Sequence, residues 1–176
     1  MDASFANEVR LNESGDLLQL VGFKIAGELF GVDILMVQEI IKNAAITPIP
    51  DAAEFIKGVI NLRGNIIPVI DLRKRLKIAG GLPAGWNSWI IILQISDRVT
   101  GFIVEQVTRV IKVPVDAVLP APEILSSGLK SDYISGVYRV DDRELLAVLD
   151  FTRILLIDEF KKTNSRKNLR ASGDLL

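Results

Sequence analysis

The chain has 176 residues, 49% of them apolar and 24% charged, with 21 basic against 22 acidic side chains. That length buries roughly 70% of the surface its unfolded form exposes, so a packed domain is expected rather than disorder, and the near balance of charge argues against a general nucleic-acid-binding surface. Cysteine and histidine are both absent, which excludes disulfides and thiolate or imidazole metal sites and lowers the prospect of an enzyme, although carboxylates or a shifted lysine remain usable for catalysis.

The first residues, Met1 to Glu8, lack the basic and apolar regions of a signal peptide, and residues 1–16 read as a flexible leader. Strand signals follow: short runs rich in Ile and Val, broken by Gly, Pro, Asn and Asp. Leu17, Val21, Phe23 and Ile25 mark one face of a first strand, interrupted by Gln19. Gly64 is placed to supply the positive φ of a hairpin turn after Leu62-Arg63, and Pro68 belongs at an edge or a strand start. Leu72-Arg73-Lys74-Arg75-Leu76 predicts a short helix with Arg73 to Arg75 on a solvated face. Ala79 to Gly85 has the composition of a linker. Beyond it, Trp89, Ile91, Leu93 and Ile95 form one face of a strand whose other face Gln94 and Ser96 make polar. Arg153 to Leu156 predicts a second short helix. The tail from 161 to 176 is basic and is expected to be flexible. The longest apolar run, Trp89 to Leu93, is far short of the roughly 20 residues that a membrane-spanning helix needs. A cytoplasmic protein with no direct membrane insertion is therefore expected.

The two sides of the linker repeat one another. Gly31 and Val37-Gln38-Glu39-Ile40-Ile41-Lys42 recur 70 positions later as Gly101 and Val107-Thr108-Arg109-Val110-Ile111-Lys112. Pro48-Ile49-Pro50 recurs at 72 as Pro120-Ala121-Pro122, and Phe55 to Val59 at 78 as Tyr133 to Val137. Val69-Ile70-Asp71-Leu72 recurs at 79 as Val148-Leu149-Asp150-Phe151. Four matches in register, with an offset that only grows, indicate a duplicated unit lengthened by loop insertions. Each half then holds about five short strands, and a sheet that small hides its edges by closing. The expected fold is mainly β: two small barrels, about 17–78 and 86–160, within one domain over 17–160.

The segment Phe55 to Leu72, FIKGVINLRGNIIPVIDL, resembles the signature of the CheW family of bacterial chemotaxis coupling proteins. Phe30 to Ile40, Gly101 to Val107 and Tyr133 to Gly136 resemble its other motifs, and the similarity covers about Leu17 to Phe160. One departure is Glu105, where family members usually carry aspartate. The resemblance implies two five-stranded, SH3-like barrels on a shared core, without cofactor, metal or catalysis. It implies two partners: the cytoplasmic tip of chemoreceptors, and the regulatory domain of the histidine kinase CheA. The length leads to the expectation of a stand-alone adaptor. An adaptor of a non-flagellar chemosensory pathway and a small enzyme or ligand-binding barrel are the rival readings; a deep cavity lined by two carboxylates would favour the last.

Carried over residue by residue, the resemblance places Arg63, Glu39, Val37, Gly58, Gly101 and Val104 on the receptor-binding side, and no motif identifies kinase contacts. Each has a structural alternative. Glycines 58, 64 and 101 suit turns or close backbone approach, and Val104, Val107 and Ile111 suit a core. Within the repeat Arg63 aligns with Asp141 and Glu39 with Arg109. Both charges invert together, as expected if the two positions form an ion pair inside each barrel.

Overall fold

The computed structural model describes residues 16–42, 44–80, 88–121 and 131–155. The expected flexible leader except Asp16, most of the linker, Pro122, Leu156 and the basic tail lie outside these residues. The described residues form ten strands: β1 (Leu17–Ile25), β2 (Glu28–Asp33), β3 (Val37–Lys42), β4 (Ile56–Leu62), β5 (Asn65–Asp71), β6 (Trp89–Ile95), β7 (Arg98–Val104), β8 (Gln106–Pro114), β9 (Ile134–Arg139) and β10 (Leu145–Leu149). Helix α1 (Leu72–Arg75) follows β5, and helix α2 (151–155) follows β10. In both, an aspartate at the strand end accepts from a backbone N–H one turn on, Asp71 from Lys74 at 3.4 Å and Asp150 from Arg153 at 3.1 Å.

The strands make two sheets, in the orders β8-β1-β2-β10-β9 and β3-β6-β7-β5-β4. Moving every strand five places along the chain converts one order into the other, so the duplication is a pseudo-two-fold of the whole domain. Each sheet is antiparallel except at one pairing, β2 with β10 and β7 with β5.

This topology corrects the expected division at the linker. The second sheet uses only residues from 37 to 104, while the first combines 17–33 with 106–149. The links between sheets explain it. A 3-10 turn, Ile34–Met36, and a single residue, Glu105, let the chain run on into the neighbouring sheet instead of folding back. The leading hairpin of each half therefore sits in the barrel completed by the other half.

Closure is made outside the strands. Beyond β3, Thr47 exchanges two 2.9 Å backbone hydrogen bonds with Val59 of β4, and beyond β8 Leu119 exchanges two of 2.8 Å with Val137 of β9. Both seams require a glycine one residue away. A Cβ on Gly58 would lie 2.1 Å from the Thr47 oxygen, and one on Gly136 would lie 2.8 Å from the Leu119 oxygen. The glycine repeated at an offset of 78 is thus the point where each barrel shuts.

Three apolar clusters fill the molecule. Leu20, Leu29, Ile111, Val113, Leu146 and Val148 pack together from the first sheet, and Ile60, Ile67, Val69, Ile90, Ile92 and Ile103 from the second. The largest cluster draws on both sheets and includes Phe23, Phe30, Ile91, Leu93, Phe102 and Phe151. Phe102 and Phe151 meet edge to face with ring centroids 4.8 Å apart, a geometry that favours the quadrupoles of both rings. Two-sided burial accounts for the run WIIILQI: Ile91, Leu93 and Ile95 face the shared core, while Ile90 and Ile92 face the second barrel's own cluster. The polar second face expected for this strand is confined to its end at Gln94 and Ser96.

Candidate functional site

The strongest candidate from the sequence lies on a hairpin tip. Leu62 pairs with Asn65, leaving Arg63 and Gly64 as a two-residue loop with φ of 52° and 85°. Positive φ at both central positions is the pattern of a type I′ turn, whose twist matches the flanking strands. Gly64 meets its expectation, and Arg63 adopts the left-handed region as well. Asn61 holds the loop by accepting from the Gly64 N–H at 2.9 Å.

From this tip the Arg63 guanidinium reaches Glu39 through two contacts, Nη2 to Oε1 and Nη1 to Oε2, both 3.1 Å. A forked pair of this kind fixes orientation as well as distance. Glu39 owes its direction to a bulge: Val37 pairs with Leu93 and Glu39 with the adjacent Ile92, leaving Gln38 as the extra residue. The pair joins β3 to the β4–β5 turn, the two edges of the second sheet, beside the Thr47–Val59 closure. The internal ion pair inferred from the inverted charges is present in this barrel. With the arginine 78% exposed and the glutamate 27% exposed, it contributes only about 0–1 kcal/mol. Most of the guanidinium surface still faces solvent.

The other barrel departs from that expectation. Asp141 turns inward on its own loop and accepts from the Arg143 and Glu144 N–H groups at 2.7 and 2.9 Å. Arg109 is exposed and pairs with no described residue. The shorter aspartate is consumed as a turn cap, so among the described residues the ion pair is present in the second sheet's barrel and not in the first.

Burial separates the six carried-over positions. Gly58 is interior, with φ 151°, and serves the seam. Gly101 is interior too, where a Cβ would lie 2.9 Å from Ile90 Cγ2. Val104 is 2% exposed within the shared core, and Val37 packs half-buried against it. Ile111 is 8% exposed in the first barrel's cluster and Val107 packs on the shared core. Gly58, Gly101 and Val104 therefore shape the barrels and offer a partner little or no surface. Arg63 and Glu39 are the two positions left with accessible polar atoms.

Sequence reasoning also missed a buried cation. Arg75, expected on a solvated face, is 5% exposed. It lies between the Phe55 and Tyr133 rings, 5.2 and 5.0 Å from their centroids, and donates to the Tyr133 hydroxyl at 3.0 Å and the Ile154 carbonyl at 2.8 Å. Phe55 and Tyr133 are equivalent in the repeat, as are Arg75 and Ile154. Arg75 thus touches both members of one equivalent pair and its own counterpart in the other half. The available signal was spacing, since Leu72, Arg75 and Leu76 share one helical face.

Two clefts of about 250 Å³ each carry two carboxylates, Asp71 and Glu105 in one, Glu28 and Glu144 in the other. Asp71 caps α1, Glu105 pairs with Arg73 at 2.6 Å and Glu144 with Lys24 at 3.6 Å. Among the described residues no three His, Cys, Asp or Glu side chains group as metal ligands, and no helix is long and apolar enough to cross a membrane.

Known proteins place this architecture. Residues 19–159 match the CheW-like domain family. The chain is 35% identical over 147 residues to the chemotaxis protein CheW of Treponema pallidum, covering 82% of this chain and 85% of that one. It is 36% identical over 137 residues to the chemotaxis protein CheW of Klebsiella aerogenes, covering 78% and 81% respectively. Its fold is similar to the crystal structure of the scaffolding protein TtCheW from Thermoanaerobacter tengcongensis, with a TM-score of 0.71 and 36% identity over 79% of this chain and 88% of that one. With two SH3-like barrels on a shared core and this likeness along most of its length, the chain belongs to the CheW-like family of chemotaxis adaptor proteins.

Proposed function

We propose that the chain couples the cytoplasmic tip of chemoreceptors to the regulatory domain of the histidine kinase CheA, working in the cytoplasm and catalysing nothing itself. The observation that supports this most is the Arg63–Glu39 fork: a guanidinium held on a rigid turn, 78% exposed, and only weakly committed to its internal partner. Such a group suits carboxylates or exposed carbonyls on a receptor helix, and arginine is enriched among residues that dominate interfaces. Glu39 orients it. The buried members of the carried-over set act through the backbone, by holding the seam and the β7 packing that present the fork. Single contacts of this kind are weak, with dissociation constants on the order of micromolar, and an array adds avidity.

The test is co-sedimentation of the CheA regulatory domain with receptor-tip assemblies, with and without the purified chain. The reading expects the kinase domain to sediment only when the chain is present. Equal sedimentation without it contradicts the coupling role. The purified chain alone is also expected to show no nucleotide turnover; release of phosphate at a rate proportional to its concentration would overturn the non-enzymatic reading.

A further inference from the structure

The bulge that aims Glu39 is built twice and tied once. In β3 the pairs Val37–Leu93 and Ile40–Ile91 leave two residues, Gln38 and Glu39, for the one position opposite Ile92. In β8 the pairs Val107–Phe23 and Val110–Val21 leave Thr108 and Arg109 opposite Gly22, and the offset of 70 makes all these positions equivalent. The first sheet seats its bulge on that glycine, where a Cβ would lie 2.6 Å from Thr108 Oγ1. The second has the fully buried Ile92 there and meets the bulge with a side-chain tie. Gln94 donates through Nε2 to the Ser96 carbonyl at 2.9 Å, and its Oε1 accepts from Gln38 Nε2 at 2.6 Å. A carbonyl only accepts, so Ser96 fixes the direction of both bonds. Among the described residues the first barrel has no such tie: Lys24 stands at the equivalent of Gln94 and pairs with Glu144 at 3.6 Å.

We propose that Gln94, acting through Gln38, is a positioning residue for Arg63. Either Gln38 or Glu39 satisfies the count opposite Ile92. A bulge that moves by one residue exchanges the extra residue for the paired one and turns the Glu39 carboxylate away from the β4–β5 tip. The ladder on either side stays in register, so the rest of the fold does not decide between the two arrangements. The exposed fork alone contributes little to the choice. The tie decides it, because Gln38 reaches Gln94 from the extra position. With the bulge fixed, Glu39 holds the guanidinium in one direction before a partner arrives, and the ordering cost of binding falls. This inference rests on the reading that Arg63 meets the receptor.

Receptor-tip capture by Gln94→Leu, which keeps the bulk and removes both hydrogen bonds, tests it. Capture should weaken about fivefold, with a melting temperature within a few degrees of the parent chain. Gln38→Met, which cuts the tie from its other end, should do the same. The double variant Arg63→Ala/Gln94→Leu should bind no worse than Arg63→Ala alone, because Gln94 acts only through that guanidinium. In free Gln94→Leu, relaxation dispersion should show exchange at the Gln38 and Glu39 amides that the parent lacks. Full capture by Gln94→Leu beside a weakened Arg63→Ala overturns the proposal, and so does an additive loss in the double variant. If Arg63→Ala captures receptor tips as the parent does, the receptor reading fails instead. The amides then decide whether Gln94 positions the fork: exchange supports it and quiet amides overturn it. Unfolding of both Gln94→Leu and Gln38→Met makes the tie a structural staple and overturns the positioning role.

Discussion

The two barrel seams have the same backbone and different surfaces. Each closes through one pair of reciprocal hydrogen bonds against a glycine, Thr47–Val59 at Gly58 and Leu119–Val137 at Gly136. The barrel with the first seam carries the Arg63–Glu39 fork; in the other, Arg109 is exposed and Asp141 caps its own turn. The two halves agree where sterics demand it and differ where solvent tolerates it. A missing side chain at a seam is irreplaceable, whereas a charge on a turn is free to change sign or purpose. The proposed contact residue, Arg63, is of the second kind and stands on a turn next to the first.

Substitutions at the seams break this comparison hardest. Gly58→Ala faces a backbone oxygen at 2.1 Å and a φ of 151°, so strain and overpacking together cost about 3 kcal/mol or more, read by denaturant unfolding. Gly136→Ala meets Val118 Cγ1 at 2.4 Å, a side-chain atom that can turn away, and the Leu119 oxygen at 2.8 Å; about 2 kcal/mol is expected. A smaller loss at Gly58 than at Gly136 would contradict the ranking of the two closures.

Between the two halves, Arg75→Ala leaves the Tyr133 hydroxyl and the Ile154 carbonyl without their buried donor. A destabilisation of about 2 kcal/mol follows, and adding Tyr133→Phe should recover part of it, because that removes one of the two groups left without a donor. Asp141→Ala, which removes two hydrogen bonds from an exposed loop, should cost about 1 kcal/mol. Smallest of all, Arg63→Ala should cost about 0–1 kcal/mol, because it removes only an exposed ion pair. Thermal melts of these last two give the sharper comparison: the charge kept for the turn should matter more to stability than the one kept for the surface.

Much of this was legible in the sequence, and the failures have physical causes. The duplication, Gly64 and the Glu39–Arg63 pair were readable because each leaves a local mark: a repeated order, a turn residue, a correlated change of sign. The exchange of leading hairpins was not. Alternation in β1 or β6 encodes which faces are buried but not which neighbour supplies the hydrogen bonds. For Gly58, Gly101 and Val104 the sequence offered both a contact and a structural reading, because a motif match does not distinguish a side chain that touches a partner from a backbone that shapes the contact. Arg75 was misread because three consecutive basic residues suggest one solvated face, although a short helix sends only some of them outward.

The central claim is that Arg63 serves a partner while Gly58 and its neighbours serve the fold. Binding of Arg63→Glu to receptor-tip assemblies, measured beside its melting temperature, tests this most directly. The expected result is loss of nearly all receptor capture with a melting temperature within a few degrees of the parent chain. Full capture by a folded Arg63→Glu, or unfolding of the variant at temperatures where the parent is intact, would contradict it.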